Sequence, residues 1–282
     1  MIYTQLKGGL GNQLFEIFAI IAYSLNNKIS FRISSFKQEG QYSPAGGYRP
    51  TYWDNFLSSI KSFTYHQPVS YPVYKEPEFS YIPIPIVNKD THFQIDGYFQ
   101  SEKYFKSQYD NVLRLLKFNT HRNKIKELYF KDNNFITISL HIRLGDNLTT
   151  WNQQNHPIQT IDFYINSIQT IIDKLNTTQN IKIYYFCEKQ DTDIALKDIQ
   201  ILQKNFPNII FLKFDKVLTD WEELLAMSCC NHNIVSNSTF SWWAAYFNDF
   251  QEKIICYTSK WFGPNLKHHD LKDLFPETWI KI

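Results

Sequence analysis

The chain has 282 residues, with 29 lysines and arginines against 27 aspartates and glutamates, a length that suits one large domain or two modest ones. A net charge of +2 sets up no field that would recruit a polyanion, which excludes nucleic acid as a partner and requires any anion to be held locally. Hydrophobic residues make up 43% and aromatic residues 17%, enough for a real core together with flat rings suited to stacking on sugars or bases.

In chain order, residues 2–6 read as a short strand, the glycines of 8–11 as a turn, and 12–26 as a helix with apolar Leu14, Phe15, Phe18, Ala19, Ile21, Ala22 and Leu25. A second strand near 28–33 completes the opening of an α/β unit. From about 40 to 92 the chain is rich in Pro, Tyr and Ser with no sustained period, and is expected to be dominated by loops. Helices are expected at 102–117 and 121–131, with a lobe boundary near 117–120. The second half then alternates: strand 135–142, helix 161–175, strand 181–187, helix 192–205, strand 209–214, helix 220–229, strand 233–236, helix 239–248, strand 253–257. Near-continuous apolar strands between helices predict a parallel sheet covered on both faces.

The opening MIYTQLKGGLGNQ lacks the basic stretch and apolar run of an export signal, and no apolar run reaches 18 residues, so the expected location is cytoplasmic. Cys187, Cys229, Cys230 and Cys256 lie in apolar segments without CxxC spacing and read as reduced, buried thiols. Sequons at Asn147, Asn176 and Asn237 carry no meaning without secretion.

Ligands of open parallel sheets bind beyond the carboxyl ends of the strands, and polar clusters follow strands 2–6, 135–142 and 233–236, as if to face one cleft. GGLGNQ (8–13) lacks the lysine of a Walker loop and the third glycine of a dinucleotide fingerprint. What remains is a glycine turn opening a helix, either a plain tight turn or a place where backbone N–H groups meet an anion. In HIRLGD (141–146), Arg143 stands just past a buried strand. Its planar, permanently charged fork fits two phosphate oxygens, with an ion pair to Asp146 as the alternative. His141 is either a strand histidine or a ligand contact. SNSTFSWWAA (236–245) reads as a helix start capped by Asn237, Ser238 or Thr239, with Trp242 and Trp243 in the core, and the same start can hold a diphosphate. The DTD of 191–193 invites a metal but sits where a helix needs an N-cap, so no metal site is assigned.

Together GGLGNQLFE (8–16), DGYFQSEKYF (96–105), HIRLGD (141–146), HPIQTIDFY (156–164) and ELLAMSCCNHNIVSNSTFSWWAAYF (223–247) resemble the bacterial and viral α-1,2-fucosyltransferases, glycosyltransferase family 11. The resemblance implies a GT-B-like α/β fold, two Rossmann-type lobes with a donor cleft between them: 1–117 with the glycine loop on the acceptor side, 118–282 binding the GDP-sugar. It implies transfer of fucose from GDP-fucose to a galactose hydroxyl of an oligosaccharide, with inversion and without a metal or other cofactor. Carried over, Arg143 would clamp the donor diphosphate and Asn237, Ser238, Thr239 and Phe240 would line it at the helix start. Gly11, Asn12 and Gln13 would approach from the other lobe. His141 and Glu223 match nucleotide-recognition positions, although the family usually has Asp in place of Glu223. Trp151 and His156 would border the acceptor. Two departures stand out: the family's HxRRGD has a second arginine where this chain has Leu144, and its acidic FSDD-like stretch appears as FCEKQ (186–190).

An inverting transfer without a metal needs fixed cations and dipoles on the leaving diphosphate, the role expected of Arg143 and the helix N-termini. A carboxylate must take the acceptor proton, Asp146 first and Asp96 second. The competing readings are a related deoxysugar transferase with another donor or linkage, a metal-dependent enzyme using Asp191 and Asp193, and a glycan-binding protein without catalysis.

Overall fold

A computed structural model gives the structure of the protein and describes residues 1–35, 50–131, 134–148, 150–175 and 179–282, with backbone alone at 146, 147, 150 and 151. The strands are β1 (Ile2–Gln5), β2 (Phe31–Ser34), β3 (Thr64–Tyr65), β4 (Val73–Lys75), β5 (Phe93–Asp96), β6 (Phe135–His141), β7 (Asn180–Phe186), β8 (Ile210–Lys213), β9 (His232–Val235), β10 (Ile255–Tyr257) and β11 (Ile280–Lys281). The helices are α1 (Leu10–Asn27), α2 (Tyr109–Leu115), α3 (Phe118–Tyr129), α4 (Thr150–Gln153), α5 (Ile161–Leu175), α6 (Thr192–Asn205), α7 (Asp220–Ser228) and α8 (Thr239–Tyr246). Residues 1–121 and 269–276 form one compact unit, and 122–268 with 277–282 the other. The stretch 269–276 therefore belongs with the first unit, which a single cut near 117 does not anticipate.

The first unit is a five-stranded sheet in the order β3-β2-β1-β5-β4, parallel throughout. Helix α1 supplies its core: Leu14, Phe15, Ile17, Phe18, Ile21 and Ala22 have no solvent exposure. Strands β3, β4 and β5 depart from the sequence expectation of loops across 40–92 and no element at 93–96. With two to four residues each they show no readable period, and their pairing comes from backbone bonds to neighbours rather than from side-chain pattern. The helix expected at 102–117 is broken into two 3-10 turns before α2.

The second unit is a six-stranded sheet in the order β11-β10-β9-β6-β7-β8, also parallel throughout. Ile138, Leu140, Ile183 and Ile234 from three adjacent strands meet Tyr164, Ile168 and Ile171 of α5 in one buried cluster. Trp242 and Trp243 are fully buried. Cys230 and Cys256 are buried free thiols, while Cys187 and Cys229 are half-buried. Two parallel-sheet units with covering helices make this an α/β chain with two Rossmann-type halves, as the resemblance implied.

The strand order fixes where the second unit can bind. From β6 the chain runs outward through β7 and β8, then returns to the other side of β6 for β9, β10 and β11. The reversal lies between β6 and β9, and parallel sheets of this kind bind their ligands beyond the carboxyl ends of the strands at such a switch point. Side chains reinforce this pair. Asn233 Nδ2 donates to Ser139 Oγ at 2.7 Å, and Asn231 Oδ1 accepts from both the N–H and the hydroxyl of Thr137 at 2.8 Å.

Candidate functional site

At the end of β6 the alternation of faces continues past the last ladder bond. Leu140, Ile142 and Leu144 are buried in the core cluster, whereas His141 and Arg143 between them are half-buried on the opposite side. Period two in extended backbone produces this sorting. Leu144, 3% exposed, is thus a core residue, and its direction is set by the same alternation that turns Arg143 the other way. Arg143 Nη1 donates to the carbonyl oxygen of Asn237 at 2.7 Å, a bond that crosses from the loop after β6 to the loop after β9 at the switch point.

His141 lies beside this contact. Its Nδ1 is 3.0 Å from Ser236 Oγ and its ring is 5.7 Å from that of Phe240. Burial, and then the charge of Arg143, push its pKa down to about 3. His141 is therefore a neutral imidazole across the physiological range, able to offer or accept a hydrogen bond but not to shuttle a proton there.

The loop after β9 is built from short polar residues that hold backbone. Ser238 is the N-cap of α8 in an extended conformation, its hydroxyl accepting the N–H of Phe240 at 3.3 Å. Ser241 returns its hydroxyl to the Ser238 carbonyl at 3.2 Å. Asn237 is buried, with Nδ2 donating to the carbonyl of Pro157 at 2.8 Å. Its side chain secures the loop, and its backbone oxygen receives Arg143. Thr239 and Phe240 begin α8 and are half-buried. A helix start of this kind carries the positive end of the helix dipole beside a guanidinium, a setting matched to an anion.

HPIQ (156–159) proves to be a brace for that loop. Gln159, buried, donates to the carbonyls of Pro157 and Lys260 at 3.2 Å each and accepts from Thr258 Oγ1. The His156 ring lies 5.6 Å from Phe262, and the His156 N–H donates to the Asn152 carbonyl at 2.6 Å. The segment WFG (261–263), which the sequence reading overlooked, packs here. Gly263 donates its N–H to Asn155 O at 2.8 Å, and a Cβ on it would stand 2.4 Å from the Gln154 carbonyl, so only glycine fits. Glycine at a close approach between loops leaves no signal in a sequence beyond the glycine itself. Asp146 lies in the 3-10 turn Gly145–Leu148 and Trp151 in α4; their side chains lie outside the described residues.

The carboxyl ends of β7 and β8 add a second polar group. Asp191 stands at the N-cap position of α6, as expected, but its side chain makes no cap bond. Instead, nearly fully buried, it accepts the Gly145 N–H at 2.6 Å and ties down the turn that follows Arg143. Gly145 adopts φ +45°, and a Cβ there would meet Glu188 Oε1 at 2.9 Å. Glu188, the carboxylate of FCEKQ, therefore stands beside this turn. Glu223, in the first turn of α7, is half-buried. Burial chiefly, with Asp220 and Glu188 nearby and Lys213 opposing, pushes its pKa up to about 7. Lys213 Nζ donates to Thr192 Oγ1 at 2.6 Å. Among the described residues no three His, Cys, Asp or Glu side chains gather as metal ligands.

In the first unit the glycine turn follows β1. Gly8 adopts φ +70°, and a Cβ there would fall 2.5 Å from Asn12 Nδ2. Gly9 is the N-cap of α1. Gln13, 3% exposed, donates to the carbonyls of Gly8 at 3.0 Å and Pro50 at 2.9 Å, so its amide holds the turn from inside. Asn12 Oδ1 accepts from Gln100 Nε2 at 3.1 Å, joining the turn to the DGYFQ segment. Gly11 is buried within α1.

A family model for Glycosyl transferase family 11 matches residues 51–282. The chain belongs to that family. It is similar to the O-antigen biosynthesis glycosyltransferase WbnK of Escherichia coli, 29% identical over 195 residues that take in 66% of this chain and 59% of that protein, so the match spans less than two thirds of the relative. It is also similar to an alpha-1,2-colitosyltransferase of Escherichia coli, 24% identical over 307 residues, covering 100% of this chain and 99% of the relative. Among solved structures, the fucosyltransferase NodZ from Bradyrhizobium aligns over 86% of this chain and 91% of its own at 12% identity and TM-score 0.48. The matched span takes in both HIRLGD and SNSTF.

Proposed function

We propose that this family 11 chain is an inverting glycosyltransferase that moves fucose from GDP-fucose to the 2-hydroxyl of a galactose-terminated oligosaccharide. The observation that supports it most is the Arg143 to Asn237 contact at the β6/β9 switch point, beside the capped start of α8. A diphosphate at that switch point would meet one permanent cation and a helix N-terminus, which together offset the charge that builds on the leaving group. In this reading no metal is required, and full transfer activity in EDTA is the expected result. Glu223 reads the nucleobase through its carboxylate, His141 contributes as a neutral hydrogen-bonding ring, and Ser238 and Thr239 line the phosphates. The first unit is assigned to the acceptor. Asp146 is the first candidate for the base that takes the acceptor proton and Asp96 the second. An Asp146→Asn variant that keeps the acidic limb of the pH–rate profile would remove the first.

A second reading concerns the donor. The relative aligned over the whole chain is named a colitosyltransferase, and colitose is fucose without its 3-hydroxyl, so GDP-linked colitose is the competing substrate. The test is a donor screen with both GDP-sugars against a panel of galactosides, followed by NMR assignment of the product linkage. Transfer of fucose in α-1,2 linkage is expected. Transfer of colitose alone would select the second reading, and no transfer together with no thermal stabilisation by GDP would reject both.

A further inference from the structure

The first unit has a switch point of its own. From β1 the chain moves to β2 and β3 on one side, while β5 and β4 lie on the other, so the reversal falls between β1 and β5. Lys7, just after β1, forms an ion pair with Asp96 at the end of β5 across that gap. Both side chains keep about a third of their exposure, 31% and 36%, and the glycine turn begins at the next residue.

Beneath this pair sits Glu16, a charged residue type with no exposure at all. Its Oε2 accepts the backbone N–H of Lys7 at 2.8 Å, while its Oε1 is buried with no hydrogen-bond partner among the described residues. Ala19 and Ile20, one turn further along the same face of α1, are likewise without exposure, so the unpartnered carboxyl oxygen is not explained by packing. Glu76, after β4, braces the adjoining turn, its Oε2 accepting the N–H groups of Tyr98 and Phe99 at 2.8 and 3.0 Å. Phe99 is held there at φ +52°, a conformation that a non-glycine residue adopts only when its surroundings impose it.

We propose that Glu16 is a positioning residue for the transfer reaction: by holding the Lys7 backbone it sets the Lys7 ammonium against Asp96 at the first unit's switch point. The inference rests on the function proposed above, in which Asp96 is a candidate proton acceptor. The groups that face Glu16 are Lys7 after β1, Glu76 after β4 and Tyr98 after β5. Burial outweighs the help from Lys7 and pushes the Glu16 carboxyl well above the usual range. A carboxyl oxygen accepts the Lys7 N–H in either protonation state, and an amide of the same shape would do the same.

The test compares Glu16→Gln with Glu16→Ala in the full chain, by steady-state transfer from GDP-fucose, GDP affinity by calorimetry, and hydrogen exchange at the Lys7 amide. Glu16→Gln should keep kcat within about twofold and its pH profile, because the acceptor it presents is unchanged. Glu16→Ala should lower kcat at least about tenfold and raise Lys7 exchange, with GDP affinity changed by less than kcat because Arg143 and the start of α8 belong to the second unit. A Gln variant that folds yet loses activity would overturn the proposal, as would an Ala variant with wild-type kcat. Should Glu16→Ala fail to fold, the Gln variant alone decides. If the wild type transfers nothing, the functional reading has failed; raised Lys7 exchange in Glu16→Ala would then still establish that Glu16 holds the turn.

Discussion

Replacing Leu144 by arginine restores the family's HxRRGD pattern, and a motif-based argument expects tighter donor binding. The structure predicts the opposite. Leu144 lies in the core cluster with Leu140, Ile142, Phe163 and Tyr164, on the face opposite Arg143. Leu144→Arg forfeits about 1.5–3 kcal/mol of apolar burial and adds a desolvation penalty of several kcal/mol for a cation without a partner, part of which the long side chain relieves by reaching for solvent. A net loss of at least about 3 kcal/mol lowers Tm by roughly 6–12 °C in a domain of this size. Thermal unfolding of the purified variant, paired with GDP calorimetry, reads both quantities. A variant that melts with the wild type and binds GDP more tightly would refute the assignment of position 144 to the core and, with it, the single-arginine clamp.

Three further outcomes follow from the same geometry. Donor affinity should depend on pH through Glu223: a carboxylate with pKa about 7 is half ionised there, so binding that needs the anion nears its plateau by about pH 8 and is about tenfold below that plateau at about pH 6. Glu223→Gln should abolish that dependence, and a wild-type affinity flat from pH 6 to 8 would count against the nucleobase role. The His141 ring resonances should not titrate between pH 5 and 8, because burial and Arg143 hold its pKa near 3; an NMR midpoint near 6 would mean that the ring is hydrated. Asp191→Ala leaves the Gly145 N–H without its acceptor and should cost about 1–3 kcal/mol in denaturant unfolding while raising the donor KM; unchanged stability would show that the turn holds without it.

How much of this was legible before the structure differs between the halves. In the second unit, apolar strands of four to seven residues between amphipathic helices announce a parallel sheet, and both Arg143 and the Ser238 cap stand where the pattern places them. In the first unit, β3 and β4 have two and three residues, too few for any period, so only the sheet itself reveals them. The core role of Leu144 was open to a closer reading, since Leu140, Ile142 and Leu144 alternate with His141 and Arg143 through the end of the strand. The bond from Asp191 to Gly145 spans 46 residues, and no local pattern encodes a contact between two loops that meet only because their strands are neighbours. Gln13 and Asn237 illustrate the same limit from the other side: polar residues inside motifs invite a ligand-binding reading, and burial shows their amides engaged with backbone carbonyls.

The central claim is that the donor diphosphate is held at the β6/β9 switch point by Arg143. The most direct measurement is the transfer rate from GDP-fucose by Arg143→Ala, with its Tm checked against wild type so that folding is controlled. Loss of an electrostatic donor aimed at developing charge predicts a fall in kcat of roughly 100- to 1000-fold. A folded Arg143→Ala variant with near wild-type kcat would contradict it.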